Sequence, residues 1–130
     1  MPRPHVYDVQ FGPFYDSAGV TALLGISRQA LSKRAARGTV IRTRTADSRD
    51  LYPTFQFRDR ALDPAVKALL RPFRPALAAS GADGWAVSYW MTCPHPDLDG
   101  LTPLAWCRQG YPVAPAVRAA SQAVAVWTAL

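Results

Sequence analysis

A chain of 130 residues, 49% of them apolar, suffices for one ordinary domain or two small modules sharing a core, and is too apolar to be disordered. No run approaches the roughly 20 uninterrupted apolar residues that cross a bilayer, and Met1–His5 lacks the apolar stretch of a secretory signal; a soluble, cytoplasmic protein with no membrane partner is expected. The net charge of +6 is unevenly held: residues 1–60 carry 10 Lys/Arg against 5 Asp, whereas residues 61–130 carry 5 against 4.

Residues 1–15 read as an extended arm, with Val6, Val9, Phe11, Phe14 and Tyr15 available to pack onto the domain. A first helix is predicted over Ser17–Leu24. Asp16 or Ser17 can cap it, and Val20, Leu23 and Leu24 make an apolar stripe at helical spacing. Gly25 ends it, Ile26 packs beneath the turn, and Ser27 caps a second helix that reaches about Ala36 before Gly38 stops it. From Thr39 to Phe57 the pattern becomes that of a β-hairpin. Val40–Thr45 is β-branched, Ala46-Asp47-Ser48 supplies turn chemistry, and Leu51–Phe57 is rich in aromatics.

Asp63-Pro64 is a cap followed by Pro at the first helical position, and opens a helix with Val66, Leu69 and Leu70 inward. Pro72 and Pro75 should interrupt it before Leu77 and a Ser80-Gly81 stop. Further helices are predicted over Trp85–Met91, from Thr102-Pro103 to about Arg108, and from Pro115 to the end of the chain, with a loop at Cys93–Gly100. Trp85, Tyr89, Trp90, Trp106 and Trp127 are too much aromatic surface for so small a helical module to display singly, so most should be core and some could form an interface. The expected fold is mainly α with a small β-hairpin: a winged helix-turn-helix module at 1–60 with its N-terminal arm, and a helical dimerisation or partner-binding module at 61–130.

Seven basic residues (Arg28, Lys33, Arg34, Arg37, Arg42, Arg44 and Arg49) lie between Ser27 and Arg49, opposed only by Asp47. Such a field suits a polyanion, since each neutralised phosphate releases condensed counterions. At about 100° per residue, Arg28, Gln29, Ser32, Lys33, Ala36 and Arg37 share one half of the second helix. Ala30, Leu31 and Ala35 share the other, with Arg34 between Ala30 and Leu31. A groove-reading helix needs that division. Arg28, Gln29, Ser32 and Lys33 are therefore the candidates for base edges in double-stranded DNA, where Arg or Lys suits guanine and Gln suits adenine. Arg37 is a phosphate candidate, and Arg34 a flank or phosphate contact or an ion pair with an Asp. On the hairpin, Arg42 and Arg44 alternate toward one face and Arg49 follows the turn, which fits a minor groove or its flanking phosphates. Asp47 and Asp50 near the tip weigh against the minor-groove version.

The run Leu24-Gly25-Ile26-Ser27-Arg28-Gln29-Ala30-Leu31, with Gly38 and Leu51–Phe57, resembles short winged helix-turn-helix modules of bacterial regulators, over about a third of the chain. Trp90, Pro94, Pro96, Leu98, Gly100, Pro103, Leu104, Gly110 and Val117 follow an order similar to the C-terminal domain of Xre/MbcA/ParS-type antitoxins. That resemblance implies a homodimer, repression of its own promoter, and a RES-domain toxin partner that consumes NAD.

Chemistry is otherwise sparse. The chain has no Glu, no nucleophile motif and two histidines, His5 and His95, so no enzyme and no cofactor are expected. Cys93 and His95 flank Pro94 without a second ligand pair, which argues against a metal. The alternatives to a DNA-binding regulator on the nucleoid are a protein-interaction module whose basic face meets an acidic protein, and an architectural or excisionase-like DNA binder.

Overall fold

The structure, a computed structural model, describes residues 12–80 and 84–129. Val6, Val9 and Phe11 of the expected arm and the Gly81 helix stop lie outside the described residues. The chain is mainly helical, with a small antiparallel sheet.

Strand β1 (Phe14–Asp16) runs into helix α1 (Ser17–Leu24), and Asp16 caps that helix through a 2.8 Å bond accepted from the Gly19 N–H. Gly25 then adopts φ 65°, the left-handed conformation that releases the chain from a helix. Ser27 caps α2 (Arg28–Ala36) by accepting from the Ala30 N–H at 3.1 Å. Strands β2 (Thr43–Arg44) and β3 (Asp50–Pro53) form the expected hairpin, and β1 adds to its far edge to give the order β1-β3-β2. Phe14 and Tyr15 were expected in an extended arm available to pack onto the domain. They are extended and pair as a strand with Pro53 and Tyr52, because β3 has a free edge that a third strand can satisfy.

The two strands expected over Val40–Thr45 and Leu51–Phe57 are shorter than their β-rich sequences imply. Val40 and Ile41 are buried outside any strand. A 3₁₀ turn at Thr54–Gln56 ends the second strand and swings Gln56 inward. There the amide replaces a missing strand neighbour: Oε1 accepts from the Ile41 N–H at 2.7 Å, while Nε2 donates to the carbonyls of Ile41 at 2.8 Å and Pro53 at 3.1 Å. A second hairpin follows, pairing β4 (Phe57–Arg58) with β5 (Ala61–Leu62) across Asp59 and Arg60, both at positive φ. The division expected at residue 60 thus falls in the tip of a hairpin.

The helical half comprises α3 (Pro64–Leu70), a 3₁₀ turn at Arg71–Phe73, α4 (Arg74–Ser80), α5 (Gly84–Thr92), α6 (Pro103–Arg108) and α7 (Val113–Ala129). Asp63 caps α3 with Pro64 at its first position, and Thr102 caps α6 with Pro103 likewise. The last helix starts at Val113 and not at Pro115, since Pro in a first turn forfeits no intrahelical bond. Val66, Leu69, Leu70, Phe73, Val87, Met91, Leu98 and Ala120 are central to the larger core. Trp90, Trp106 and Trp127 are partly buried against it, with Trp90 and Trp127 on the Phe73 ring at 5.1 and 5.2 Å. The smaller core joins Val20, Leu31, Ala35, Val40 and Tyr52.

The halves are knitted closely. Ile41 and Phe55 pack with the larger core. A Cβ at Gly38 would stand 2.7 Å from the Arg74 carbonyl oxygen, and one at Gly84 would stand 2.0 Å from that of Arg42. Both contacts are backbone against backbone, so only glycine fits. The Trp85 indole N–H donates to the Arg44 carbonyl at 3.0 Å, and Phe14 meets the same ring edge-on at 5.7 Å. Arg108 Nε bonds Asp63 Oδ2 at 2.9 Å and its Nη2 reaches the Phe55 carbonyl, tying α6 to the two segments that flank the second hairpin. Among the described residues, no helix is long and apolar enough to cross a membrane.

Candidate nucleic-acid interface

Helix α2 is seated by Leu31 and Ala35, both buried, against α1 on one side and α4 on the other. Those two residues lie only about 40° apart on the helical wheel, so the buried stripe is narrow. Arg28, Gln29, Ser32, Lys33, Ala36 and Arg37 are all exposed, as the sequence pattern predicts. Arg34 is exposed as well. It stands outside the narrow stripe and makes no ion pair with an Asp among the described residues, so of its expected roles a flank or phosphate contact remains. Its carbonyl accepts from both the N–H and the hydroxyl of Thr39, which fixes the exit of the helix.

On the hairpin, Arg42 and Arg44 flank the buried Thr43, whose hydroxyl donates to the Leu51 carbonyl at 2.9 Å. Arg44 is exposed, and its Nε pairs with Asp50 Oδ1 at 3.1 Å. Arg42, at the base of the hairpin, is half-buried and hydrogen-bonds the Tyr52 phenol. At the tip, the Thr45 hydroxyl donates to Asp47 and holds that carboxyl below its usual range, while the Arg49 N–H donates to the same hydroxyl at 3.0 Å. The Arg49 side chain is exposed. Asp47 therefore remains charged and is occupied within the turn, where it offsets part of the basic field.

Two sets of residues come together that the linear pattern did not join. Arg28 and Ser32 of α2 meet Arg42, Asp50 and Tyr52 of the hairpin and Ser17 of α1 around a shallow cavity of about 170 Å³. Tyr52 is at its base; burial pushes its phenol up, with hydrogen bonding from Ser17 and Arg42 opposing the shift. Ser17, Asp50 and Tyr52 carry no sequence signal for this site, since four separate segments must fold before they meet. The second set anchors the interface from behind: Gly38 on Arg74, Gly84 on Arg42 and Trp85 on Arg44.

Residues of the antitoxin-like pattern have structural roles in the helical half. Leu98 is fully buried, Leu104 is nearly so, and Gly100 and Gly110 both adopt positive φ. Comparison with family models, with curated proteins and with solved structures returned no match to this chain.

Proposed function

We propose that this chain is a transcription regulator that binds double-stranded DNA, with α1, the Gly25–Ser27 turn and α2 as a helix-turn-helix and the β2–β3 hairpin as its wing. The observation that carries this reading is the division of α2: Leu31 and Ala35 are buried, whereas Arg28, Gln29, Ser32, Lys33 and Arg37 are exposed. A reading helix needs that division, and the basic hairpin beside it supplies a second set of phosphate donors. An acidic protein surface would accept the same charge, but it gives no reason for a capped two-helix unit joined by a tight glycine turn.

The test is fluorescence anisotropy with a labelled random-sequence duplex at low salt, repeated with Lys33→Ala/Arg37→Ala. The unaltered chain binds, and the variant binds more weakly with a shallower salt dependence, by about 0.9 in the log–log slope for each lost phosphate contact. A chain that ignores duplex at low salt, or a variant with unchanged affinity and slope, refutes the reading.

The fuller version, an antitoxin-like repressor that dimerises and binds a RES-domain toxin, draws support from the residue order at Trp90–Val117 and from the apolar side chains left on the helical half. Tyr89, Tyr111, Val113 and Val126 are each at least 46% exposed. Co-expression with a RES-domain toxin tests it: protection of cellular NAD supports the reading, and unrelieved NAD loss with no co-purified toxin removes it.

A further inference from the structure

The cavity between α2 and the hairpin has a composition that a base-reading surface does not require. Arg28 and Ser32 are four residues apart on α2 and so share a face. Arg42 stands across the cavity from them, Ser17 lies at the start of α1, and Tyr52 forms the base. Asp50 is the one carboxylate in the lining, and Arg44 already holds it at 3.1 Å. Arg28, Arg42, Arg44 and Asp50 together carry a formal charge of +2 (three cations less one anion).

The donor inventory has a plain chemical meaning. Guanidinium groups donate only, and residues bearing two of them, with three hydroxyl residues and the apolar Leu31, line a space worth about five or six liquid waters. Planar donors around a small recess match a tetrahedral oxyanion. A base edge lies on the floor of a groove and can be met only by a side chain that projects into it. A recess between a helix and a hairpin can instead receive what stands on the rim of the groove, which is a backbone phosphate.

We infer that this recess seats one phosphate of the duplex backbone, held jointly by Arg28 and Arg42 with hydroxyl donors from Ser32 and Tyr52. The inference rests on the DNA-binding reading and divides labour within it. Arg28 fixes the register of the protein on DNA without reading sequence, and base readout passes to Gln29 and Lys33. The buried Tyr52 stays protonated, so its O–H remains a donor at the base of the seat.

The experiment selects binding sequences from a randomised duplex pool with the unaltered chain and with Arg28→Ala, Arg42→Ala, the double variant and Gln29→Ala. Salt dependence of affinity is then measured on a selected and a scrambled duplex. Arg28→Ala and Arg42→Ala each weaken both duplexes by a similar factor, about tenfold, and leave the selected motif unchanged. Each single variant leaves one guanidinium on the phosphate and lowers the salt slope by well under 0.9, whereas the double variant lowers it by about 0.9 in all, because one phosphate is neutralised once. Gln29→Ala, by contrast, relaxes the motif at one position. Arg28→Lys restores the slope and guards against misfolding as the cause of a loss. A motif that loses a position with Arg28→Ala overturns the inference while DNA binding stands, as does a slope that falls by about 0.9 for each arginine removed. Failure of the unaltered chain to bind any duplex overturns both.

Discussion

Replacing Gln56 by Leu keeps roughly the size of the side chain and removes its hydrogen bonding. Gln56 is fully buried and satisfies both backbone groups of Ile41, a residue outside any strand and equally buried. Each buried polar group left without a partner costs about 1–3 kcal/mol, so the Ile41 N–H and C=O together cost about 2–6 kcal/mol. The added apolar burial of Leu returns about 1–2 kcal/mol. A net loss near 3 kcal/mol is expected, a large share of the roughly 5–15 kcal/mol that holds a domain of this kind together. With a urea slope of about 1–3 kcal/mol/M, the unfolding midpoint should fall by about 1–3 M. The assay is equilibrium urea unfolding followed by tryptophan fluorescence, with an unchanged slope confirming that stability alone has moved. A midpoint within about 0.3 M of the unaltered protein would show that Ile41 finds other partners, and the clamp would then be incidental.

Gly84→Ala should destabilise, although Ala is ordinarily the better helix former by about 1 kcal/mol. Its Cβ would meet the Arg42 carbonyl oxygen at 2.0 Å, so the hairpin or α5 must move; a raised melting temperature would contradict this. Stability should also fall in alkali. Burial raises the Tyr52 phenol above its ordinary 10.0 and, with Asp63 adding, the Cys107 thiol above 9.0. The folded state holds these protons more tightly than the unfolded chain. Their contribution is therefore complete below about pH 9 and is lost as pH climbs through the raised folded values. Melting temperatures from pH 7 to 11 check this: Cys107→Ala with Tyr52→Phe should flatten the decline, and an equally steep decline in that variant would place its cause elsewhere.

Much of the local structure was legible in the chain. Asp16, Ser27, Asp63 and Thr102 cap helices where their short polar side chains suggest, and Gly25 turns the chain between α1 and α2, because capping and turn chemistry act over three or four residues. The exposed face of α2 followed in the same way from helical periodicity. The aromatic-rich run Leu51–Phe57 reads as one strand, whereas a 3₁₀ turn at Thr54–Gln56 ends the strand after Pro53 and buries the Gln56 amide. A three-residue strand such as β1 has no period to read and exists only because β3 offers it an edge.

The capped two-helix unit and its basic face were therefore determined by the sequence itself, since each of their signals is local. What only the tertiary structure decided is which charges remain available on it. Asp50 engages Arg44, Thr45 occupies Asp47, and Arg28 and Arg42 close on one recess from elements that are distant in sequence. Charge can be counted along a chain, but its pairing depends on distances of a few ångströms that arise only when separate segments pack together.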